Sequence, residues 1–452
     1  MSIFIFRRDH RLDDNTGLIK ACTESDSVYP VFIINPDQVS DINPYKSQNS
    51  IQFMTESLKE LKTLTKGKLT YLYGNDLKVL DEIIKSKYIS KIYSNLDYTP
   101  FAKQRDQDIK DFCKTNNLEF IQTEDYTLTS IESVLTDSVT PYTKYTPYHN
   151  KAAKLEVHKP VNFTKKLLDK LNKLPKTKHT AEIKDLEKHY MPNPNLNVHG
   201  GRSLGLNILS KAIDFTNYLK NRNDLTYKTT FLSAYIKFGC VSLREVYYAF
   251  KHNSSFVNEL YWHDFYAQAI YFNPKVLKGK SMDERFDNIK WSGTQTLFNK
   301  WCKGETGFPV VDAAMKQINT TGFMHNRARM IVASFLVKTL LCNWRWGEKY
   351  FAQNLLDYDP SSNVGGWLWS AGGGFDSQPY FRIFNPWTQS EKFDKNAEYI
   401  KHWLPELKDI PAKDIHTWNI SYVKYRDVSY PSPIVDYTAN RVKALETYKK
   451  YL

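Results

Sequence analysis

Two short runs, HNRARM (residues 325–330) and NVGGWLW (residues 363–369), lie within residues 309–387, the stretch that decides the architecture of the C-terminal half. This stretch contains five of the ten tryptophans, and none of the ten precedes Trp262. An indole buries a large flat surface and keeps one N–H group that needs an acceptor. The pattern predicts that the C-terminal half builds an aromatic chamber for a cofactor, which the N-terminal half lacks.

The two halves of the chain differ in hydrophobic periodicity. Helical periodicity prevails after Gly200, which predicts an all-α domain over residues 198–452. Residues 1–125 alternate short apolar runs with amphipathic stretches, a pattern typical of a Rossmann-like α/β domain with a parallel sheet. The apolar runs are residues 3–6, 28–34, 69–73, 92–93 and 118–121. Residues 126–197 are rich in lysine and interrupted by proline, which predicts a long connector.

The composition favours two domains and an anionic partner. The chain has 452 residues and a formal net charge of +13, and a chain of this length usually exceeds one hydrophobic core. The excess of positive charge favours a polyanion such as nucleic acid, because phosphate neutralisation drives such binding. A basic surface that is merely solvated is the alternative.

Cysteine usage and hydropathy set the expected compartment. The five cysteines are far apart and odd in number, which predicts neither a disulfide framework nor a closely spaced zinc site. The first apolar strand is followed directly by Arg7 and Arg8 rather than by a secretory pattern, and no run is suited to span a membrane. We therefore expect a soluble, intracellular protein of the cytoplasm or nucleus, with no metal and no membrane partner.

Two pairs of side chains stand at helical spacing. Glu259 and Trp262 are three residues apart, and Asn326 and Met330 are four apart, so each pair falls on one helix face. A carboxylate beside an indole, opposite an amide beside a thioether, predicts a pocket that stacks a flat ring and hydrogen-bonds its edge. Ordinary amphipathic helices also produce such pairs, which is the alternative interpretation.

Two aspartates, Asp357 and Asp359, precede Asn363 by six and four residues. They are interpreted either as solvated ion pairs with the arginines of the HNRARM run or as anchors for a cofactor, such as its ribose hydroxyls. His325 has no second metal ligand at suitable spacing, so we expect it to lie in the core or in a hydrogen bond.

Long, ordered matches carry a resemblance to a known family. Residues 301–407 contain WCKGETGFPVVDAAMKQINTTGFMHNRARM, LDYDPSSNVGGWLW and YFRIFNPWTQSEKFD, and residues 4–15 read FIFRRDHRLDDN. Nearly the whole chain thus resembles the photolyase and cryptochrome family, and most of all the class I photolyases that repair cyclobutane pyrimidine dimers. The resemblance implies light-dependent repair of UV-damaged DNA, by electron transfer from excited reduced FAD to a flipped-out dimer. We expect a monomer.

The resemblance also implies a binding site for FAD, held bent inside the helical domain. Its contacts would be Tyr218, Thr229, Thr230, Leu232, Ser233, Asn326, Arg329, Asp357, Asp359 and Asn363. Arg329 would pair with Asp357. Asn363 would face flavin N5, where a neutral amide can accept a hydrogen bond or adjust to the deprotonated form.

Further roles follow from the same resemblance. The dimer and its flanking phosphates would contact Glu259, Trp262, Asn326, Arg327, Met330, Trp369 and Arg382. Glu259, Asn326 and Asn363 would take part in catalysis. Trp367, Trp344 and Trp291 would be the proximal, middle and surface members of a photoreduction chain, and three packing tryptophans are the alternative.

Some positions depart from the family pattern. Residues 229–234 read TTFLSA, with alanine where the family usually has proline in the loop that would hold the pyrophosphate. His263 replaces a common arginine, so a fixed positive charge becomes pH-dependent or is lost. An antenna chromophore, folate or deazaflavin, is not assigned, because Thr99, Ala102 and Lys103 stand where folate-binding relatives carry acidic contacts.

Three other functions remain as alternatives. A six-four photolyase would carry a histidine-bearing motif at the position of Met330, which favours the cyclobutane enzymes. A cryptochrome-type blue-light photoreceptor would share the fold and the flavin, but no long polar tail follows the last helical pattern, which favours repair over signalling. A flavin-free DNA-binding structural protein would need none of the cavity residues and would be colourless.

Overall fold

A computed structural model describes residues 1–452, and its N-terminal part is a sheet with helices on both faces. The five parallel strands are β1 (Ser2–Phe6), β2 (Val28–Ile34), β3 (Thr70–Tyr73), β4 (Lys91–Asn95) and β5 (Glu119–Thr123). The helices among them are α1 (Thr16–Glu24), α2 (Pro36–Val39), α3 (Gln48–Leu64), α4 (Asp76–Ser86) and α5 (Pro100–Thr115). The predicted α/β architecture is confirmed.

Alternate residues of the central strand reach opposite faces of the sheet. In β1, Phe4 and Phe6 pack into the core on one face, and Ile3 and Ile5 pack into the core on the other. Every residue of β1 and β2 is buried, because helices cover both faces of a parallel sheet. These strands therefore read as continuous apolar runs in the sequence.

The predicted connector contributes to both domains. Its strand β6 (Thr180–Ala181) pairs antiparallel with β3, so the strand order is β5-β4-β1-β2-β3-β6 and one edge of the sheet is not parallel. A two-residue strand shows no alternation of apolar and polar side chains, so sequence periodicity does not reveal it. The connector also contains α6 (Tyr145–Ala152), α7 (Lys165–Asp169) and α8 (Ile183–Glu187).

The C-terminal part is helical, as predicted. Its α-helices are α9 (Arg202–Ser210), α10 (Tyr218–Asn221), α11 (Ser233–Lys237), α12 (Leu243–Phe250), α13 (Ser254–Phe272), α14 (Gln295–Lys303), α15 (Pro309–Thr321), α16 (Asn326–Ser334), α17 (Trp344–Asn354), α18 (Pro360–Ala371), α19 (Pro386–Phe393), α20 (Glu398–Trp403), α21 (Ala412–His416), α22 (Trp418–Ser421) and α23 (Tyr437–Tyr451). A π-helical turn, Phe335–Thr339, follows α16 directly. None of the helices combines the length and the apolar character needed to cross a membrane. The domain boundaries at residues 125 and 197 stay a prediction.

Buried ion pairs join the sheet domain to the helical domain. Arg244 of α12 pairs with Asp14 at 2.8 Å and with Asp125 at 2.9 Å, and Arg11 pairs with Asp125 at 2.6 Å. Losing one partner of such a pair leaves an uncompensated buried charge, which is strongly destabilising. The junction therefore resists separation of the two domains.

Candidate active site

The helical domain contains a cavity of about 580 Å³, within the range of sites that hold a cofactor. Half of its lining residues are hydrophobic, so it suits a ligand that is partly aromatic and partly polar. Most of the predicted site residues line it: Thr230, Leu232, Ser233, Glu259, Trp262, Asn326, Arg329, Met330, Asp357, Asp359, Asn363, Trp367 and Trp369. Helices α11, α13, α16 and α18, with the loops that precede them, bring these residues together.

Helix α13 supplies one wall. It begins after Asn253, whose side chain accepts a hydrogen bond from a backbone N–H of the first turn. Glu259 and Trp262, one turn apart, both line the cavity. The Trp262 ring stacks on Tyr145 of α6 with centroids 3.7 Å apart, which fixes the plane of the indole. Glu259 pairs with Arg222, and burial raises the pKa of its carboxyl group although Arg222 opposes that shift.

Helix α16 supplies another wall. His325 caps its N-terminus, because the imidazole Nδ1 accepts a hydrogen bond from the backbone N–H of Arg327 at 3.1 Å. The expectation of a hydrogen-bonding histidine is confirmed. Asn326 and Met330, one turn apart, line the cavity as their spacing predicts. The cap therefore fixes where the first residue of the helix, Asn326, enters the cavity wall.

A buried polar cluster lies in the cavity wall. Arg329 Nη2 donates to both oxygens of Asp357, at 2.9 and 3.1 Å, so the predicted pair is present. Ser233 Oγ donates to the same carboxylate at 2.6 Å. The Asp357 side chain is only 2% exposed, so its charge is balanced by Arg329 rather than by water. The cluster holds a guanidinium and a hydroxyl at the surface of the cavity.

Asp359 is held from the N-terminal domain. Its Oδ2 accepts hydrogen bonds from Arg8 Nη2 at 2.6 Å and from the Tyr126 hydroxyl at 2.7 Å, and its Oδ1 caps α18. Burial opposes ionisation, but the Arg8 guanidinium holds the pKa of Asp359 well below its usual range. Both oxygens of the Asp359 carboxylate thus already accept hydrogen bonds from protein groups, and contact of Asp359 with the ribose hydroxyls of FAD stays a prediction.

Asn363 of α18 has a fixed orientation. Its Nδ2 donates to Glu348 Oε1 at 2.9 Å and to the Glu348 backbone carbonyl at 3.1 Å. Both amide hydrogens are therefore used, and only Oδ1 is free to accept a bond from a ligand. Burial raises the pKa of Glu348 to about 7. With Nδ2 bonded to Glu348, Asn363 offers its Oδ1 to a ligand in this geometry, and its contact with flavin N5 stays a prediction.

The three tryptophans of the predicted photoreduction chain differ in burial. Trp367 lines the cavity, Trp344 is buried under the Arg345 guanidinium at 4.7 Å, and Trp291 is half-buried against Tyr448. Trp367 and Trp344 are equally buried, and Trp291 is the most exposed of the three. The tryptophan ring in closest contact with Trp367 is Trp301, with centroids 6.1 Å apart, and sequence reasoning did not single it out. The electron-transfer role stays a prediction.

The cavity fits the predicted FAD in shape and in donor chemistry. Gly366 lines the cavity, and a Cβ added to it would meet no atom within 4 Å. Helix α18 therefore leaves open space beside this position. Lys237 and Arg329 supply positive charge for phosphates, and Trp262 and Trp369 supply flat apolar faces. Burial and the Arg8 guanidinium lower the pKa of Lys237 to about 7, so an anion beside it would favour its charged form.

Some predicted residues lie outside the cavity lining: Tyr218, Thr229, Arg327, Arg382, Trp344 and Trp291. Tyr218 packs edge-on against Phe256, which does line the cavity, with centroids 5.2 Å apart. Arg327 is half-buried and donates to Asn223 Oδ1 at 2.7 Å, whereas Arg382 is exposed. Two charged residues of the cavity lining are absent from the prediction, Arg222 and Lys237, and so is Glu348, which bonds to Asn363 from outside the lining.

A second cavity of about 430 Å³ lies at the carboxyl ends of the strands. Residues that follow β1, β2 and β4, such as Arg8, Asn35 and Asp97, line it. The strand order reverses between β1 and β4, and in open α/β sheets ligands bind at this point. Lys237 and Tyr358 line both cavities, so the two spaces share a wall.

Comparison with known proteins agrees with this geometry along the whole chain. Residues 2–165 match the family model for DNA photolyase, and residues 256–450 match the FAD binding domain of DNA photolyase. A deoxyribodipyrimidine photo-lyase of Alkalihalophilus pseudofirmus is 36% identical, over 98% of this chain and 97% of that protein. The chain belongs to the DNA photolyase family.

Solved structures of the family superpose on the chain over its full length. An archaeal photolyase from Sulfolobus tokodaii, crystallised with two FAD molecules, is 39% identical, with a TM-score of 0.88 and 99% of each chain covered. A cryptochrome from Synechocystis is 25% identical, with a TM-score of 0.89 and 100% and 99% of the two chains covered. Because both have the same fold, the fold alone does not separate repair from light sensing within the family.

Proposed function

We propose that this chain is a class I DNA photolyase, a carbon–carbon lyase that uses light to split cyclobutane pyrimidine dimers. One observation carries the proposal. Glu259, Trp262, Asn326, Met330 and Trp369 line a single cavity, whose wall also contains the polar cluster around Asp357. The same cavity thus offers groups for a pyrimidine dimer and groups for FAD.

The residues of the cavity have separate tasks. The Arg329–Asp357 pair, Ser233 and Lys237 would hold FAD through its polar parts, and Asn363, whose Nδ2 is bonded to Glu348, would offer it an acceptor oxygen. The chemistry that reduced FAD would supply when bound is light-driven transfer of a single electron. Trp262 and Trp369 stack against the dimer, and apolar walls exclude water from it.

DNA reaches the cavity through a basic surface. The net charge of +13 favours binding to phosphates, and Arg327 and Arg382 contact the backbone on either side of the lesion. The dimer turns out of the duplex into the cavity, which is least costly for a base pair that is already damaged. We place the enzyme in the compartment that holds the DNA, cytoplasm or nucleus, and expect it to act as a monomer.

Repair under blue light tests the proposal directly. Purified, FAD-loaded and reduced protein is expected to remove one thymine cyclobutane dimer from an oligonucleotide in blue light and not in the dark, as measured by chromatography. A six-four lesion in the same sequence is the matched control and should persist. A yellow, photoreducible protein without repair would instead support the cryptochrome alternative, and a colourless one the flavin-free alternative.

The second cavity is proposed to hold an antenna chromophore. Support comes from its position at the strand ends, its shared wall with the first cavity, and the two FAD molecules named for the Sulfolobus tokodaii photolyase. Neither folate nor deazaflavin is favoured by the residues that line it, and a second flavin joins them as a candidate.

A space-filling substitution tests this second site. Met54 of α3 is half-buried and lines the second cavity, so Met54→Trp is expected to remove the second chromophore while the first FAD stays bound. Chromophores extracted from the denatured protein provide the measurement, and Lys59→Trp, on the exposed side of the same helix, is the matched control. Retention of two chromophores in Met54→Trp would place the second one elsewhere.

A further inference from the structure

Lys338 is a buried lysine that no carboxylate neutralises. It lies in the π-helical turn Phe335–Thr339, and its residue exposure is 1%. Its Nζ donates a hydrogen bond to the backbone carbonyl of Arg382 at 3.0 Å. Burial and the nearby Arg382 guanidinium both lower the pKa of Lys338, to about 8, and no acidic group opposes them. The side chain nevertheless keeps most of its charge at neutral pH.

Residues 379–384, the segment that contains the Arg382 carbonyl bonded to Lys338, form an exposed loop whose ends are held by hydrogen bonds and ring packing. Its backbone turns through a bond from Arg382 N–H to the Pro379 carbonyl, and Phe384 N–H donates to Ser334 Oγ at 3.3 Å. The Tyr380 ring stacks on Tyr448 of α23, with centroids 6.1 Å apart. Arg382 itself is exposed at the tip. The loop therefore presents one cation to solvent above a second cation that is buried.

A buried ammonium without a counter-ion is costly, and an apolar side chain of similar size avoids that cost. If the loop needed only packing at this position, methionine would supply it. A lysine adds two things that methionine lacks, a hydrogen bond to the loop and a positive charge behind Arg382. Positive charge below a surface arginine increases the attraction for an anion at that surface, most of all where water is excluded.

We propose that Lys338 is a positioning residue for DNA binding, which fixes the loop of residues 379–384 and, with Arg382, forms a two-cation site for one backbone phosphate. The inference rests on the proposed function, because the phosphate belongs to the damaged DNA. Lys338 does not touch the phosphate itself but acts through Arg382.

Binding in the dark tests this arrangement. The measurement is the Kd of the full-length, FAD-loaded protein for a labelled oligonucleotide with one thymine cyclobutane dimer, by fluorescence anisotropy. Arg382→Ala is expected to weaken binding about tenfold, as for loss of one charged hydrogen bond, and to lower the slope of log Kd against log salt by about one. Lys338→Met is expected to weaken binding about fivefold, and the double variant no more than Arg382→Ala alone.

Further variants separate the charge from the fold. Lys338→Gln keeps a hydrogen-bond donor without the charge and should show a similar loss of affinity, while flavin absorbance and thermal unfolding report that each variant is folded. The matched control is Lys68→Met, because Lys68 Nζ also donates to a backbone carbonyl, that of Leu168 in the connector, and DNA affinity should not change. Additive losses for Lys338→Met and Arg382→Ala would show that the two act separately, and wild-type affinity of Lys338→Met would overturn the inference.

The pH dependence gives a second readout. The groups that face Lys338 Nζ are Arg382 on the loop and the Tyr448 ring of α23, whose hydroxyl stays neutral because burial raises its pKa. Affinity of the wild type should therefore fall as pH rises through 8, and Lys338→Met should lose this dependence. If Arg382→Ala also leaves affinity unchanged, the docking face of the proposed function fails together with the inference. If only Lys338→Met has no effect, the inference alone fails.

Discussion

The variant Asp357→Asn is expected to bind FAD about 10- to 100-fold more weakly than the wild type, which corresponds to the loss of a hydrogen bond to a charged group. Arg329 Nη2 and Ser233 Oγ converge on the Asp357 carboxylate at 2.6 to 3.1 Å. Asparagine has almost the same shape but no charge, so the Arg329 guanidinium loses its counter-ion and leaves the position it takes in the cavity wall. The measurement is FAD affinity of the reconstituted apoprotein by fluorescence.

A matched ion pair outside the cavity provides the control. Asp287 accepts hydrogen bonds from Arg345 Nη2 at 2.6 Å and from Ser281 Oγ at 3.0 Å, and Arg345 is about as exposed as Arg329. Asp287→Asn should cost similar thermal stability but leave FAD affinity unchanged. Equal loss of FAD in both variants would mean that the cavity responds to general loosening of the helical domain, and the assigned role of Asp357 would be wrong.

Much of the fold follows from hydrophobic periodicity because its elements are locally determined. The apolar run at residues 28–34 coincides with β2, since a strand covered on both faces has no polar positions. Asn15, Asn75 and Asn253 each cap the helix that follows them. Strand β6 could not be predicted, because Ala181 pairs with Tyr71, which lies 110 positions earlier in the chain, and two residues show no periodicity.

In the site, too, neighbours on one helix could be predicted from the sequence, whereas contacts between separate elements could not. Glu259 with Trp262, and Asn326 with Met330, were predictable as pairs because each lies one turn apart on a single helix. The orientation of Asn363 was not, because it depends on Glu348 from a neighbouring helix. Arg222 lies at the end of the short helix α10 and meets Glu259 only when α10 packs on α13. Residues on one helix face recur at helical spacing in the sequence, whereas contacts between separate elements produce no periodic pattern.

The variant Glu259→Ala is expected to repair dimers with a quantum yield about tenfold lower, while its FAD content stays unchanged. Glu259 lines the cavity but has no bond to the Asp357 cluster, so we expect FAD binding not to depend on Glu259. An electron placed on the dimer makes a pyrimidine oxygen more negative, and a protonated carboxyl group can donate a hydrogen bond to that oxygen. Loss of one such bond raises the barrier by roughly 1.4 kcal/mol, a factor of ten in rate.

The protonation state of Glu259 predicts how the repair quantum yield changes with pH. Burial raises the pKa of Glu259 and Arg222 opposes the shift, so a DNA phosphate that draws Arg222 away would raise the pKa further and favour the donor form. The contribution of Glu259 is therefore present below the raised pKa and decreases as pH rises through it. The measurement is quantum yield per bound dimer at saturating DNA, between pH 5 and about 9, a range set around ordinary carboxyl and histidine pKa values.

Arg222→Gln distinguishes the two roles that Glu259 could have. This variant removes the partner of Glu259 and one positive charge at the cavity, so we expect weaker binding of the DNA polyanion. It leaves the carboxyl group in place, so the quantum yield per bound dimer should stay near that of the wild type. If Glu259→Ala instead weakens DNA binding like Arg222→Gln and repairs each bound dimer normally, then Glu259 serves only to position Arg222. Stabilisation of the electron-bearing dimer would then have to come from Asn326, which is assigned to both the dimer and the flavin in the proposed arrangement.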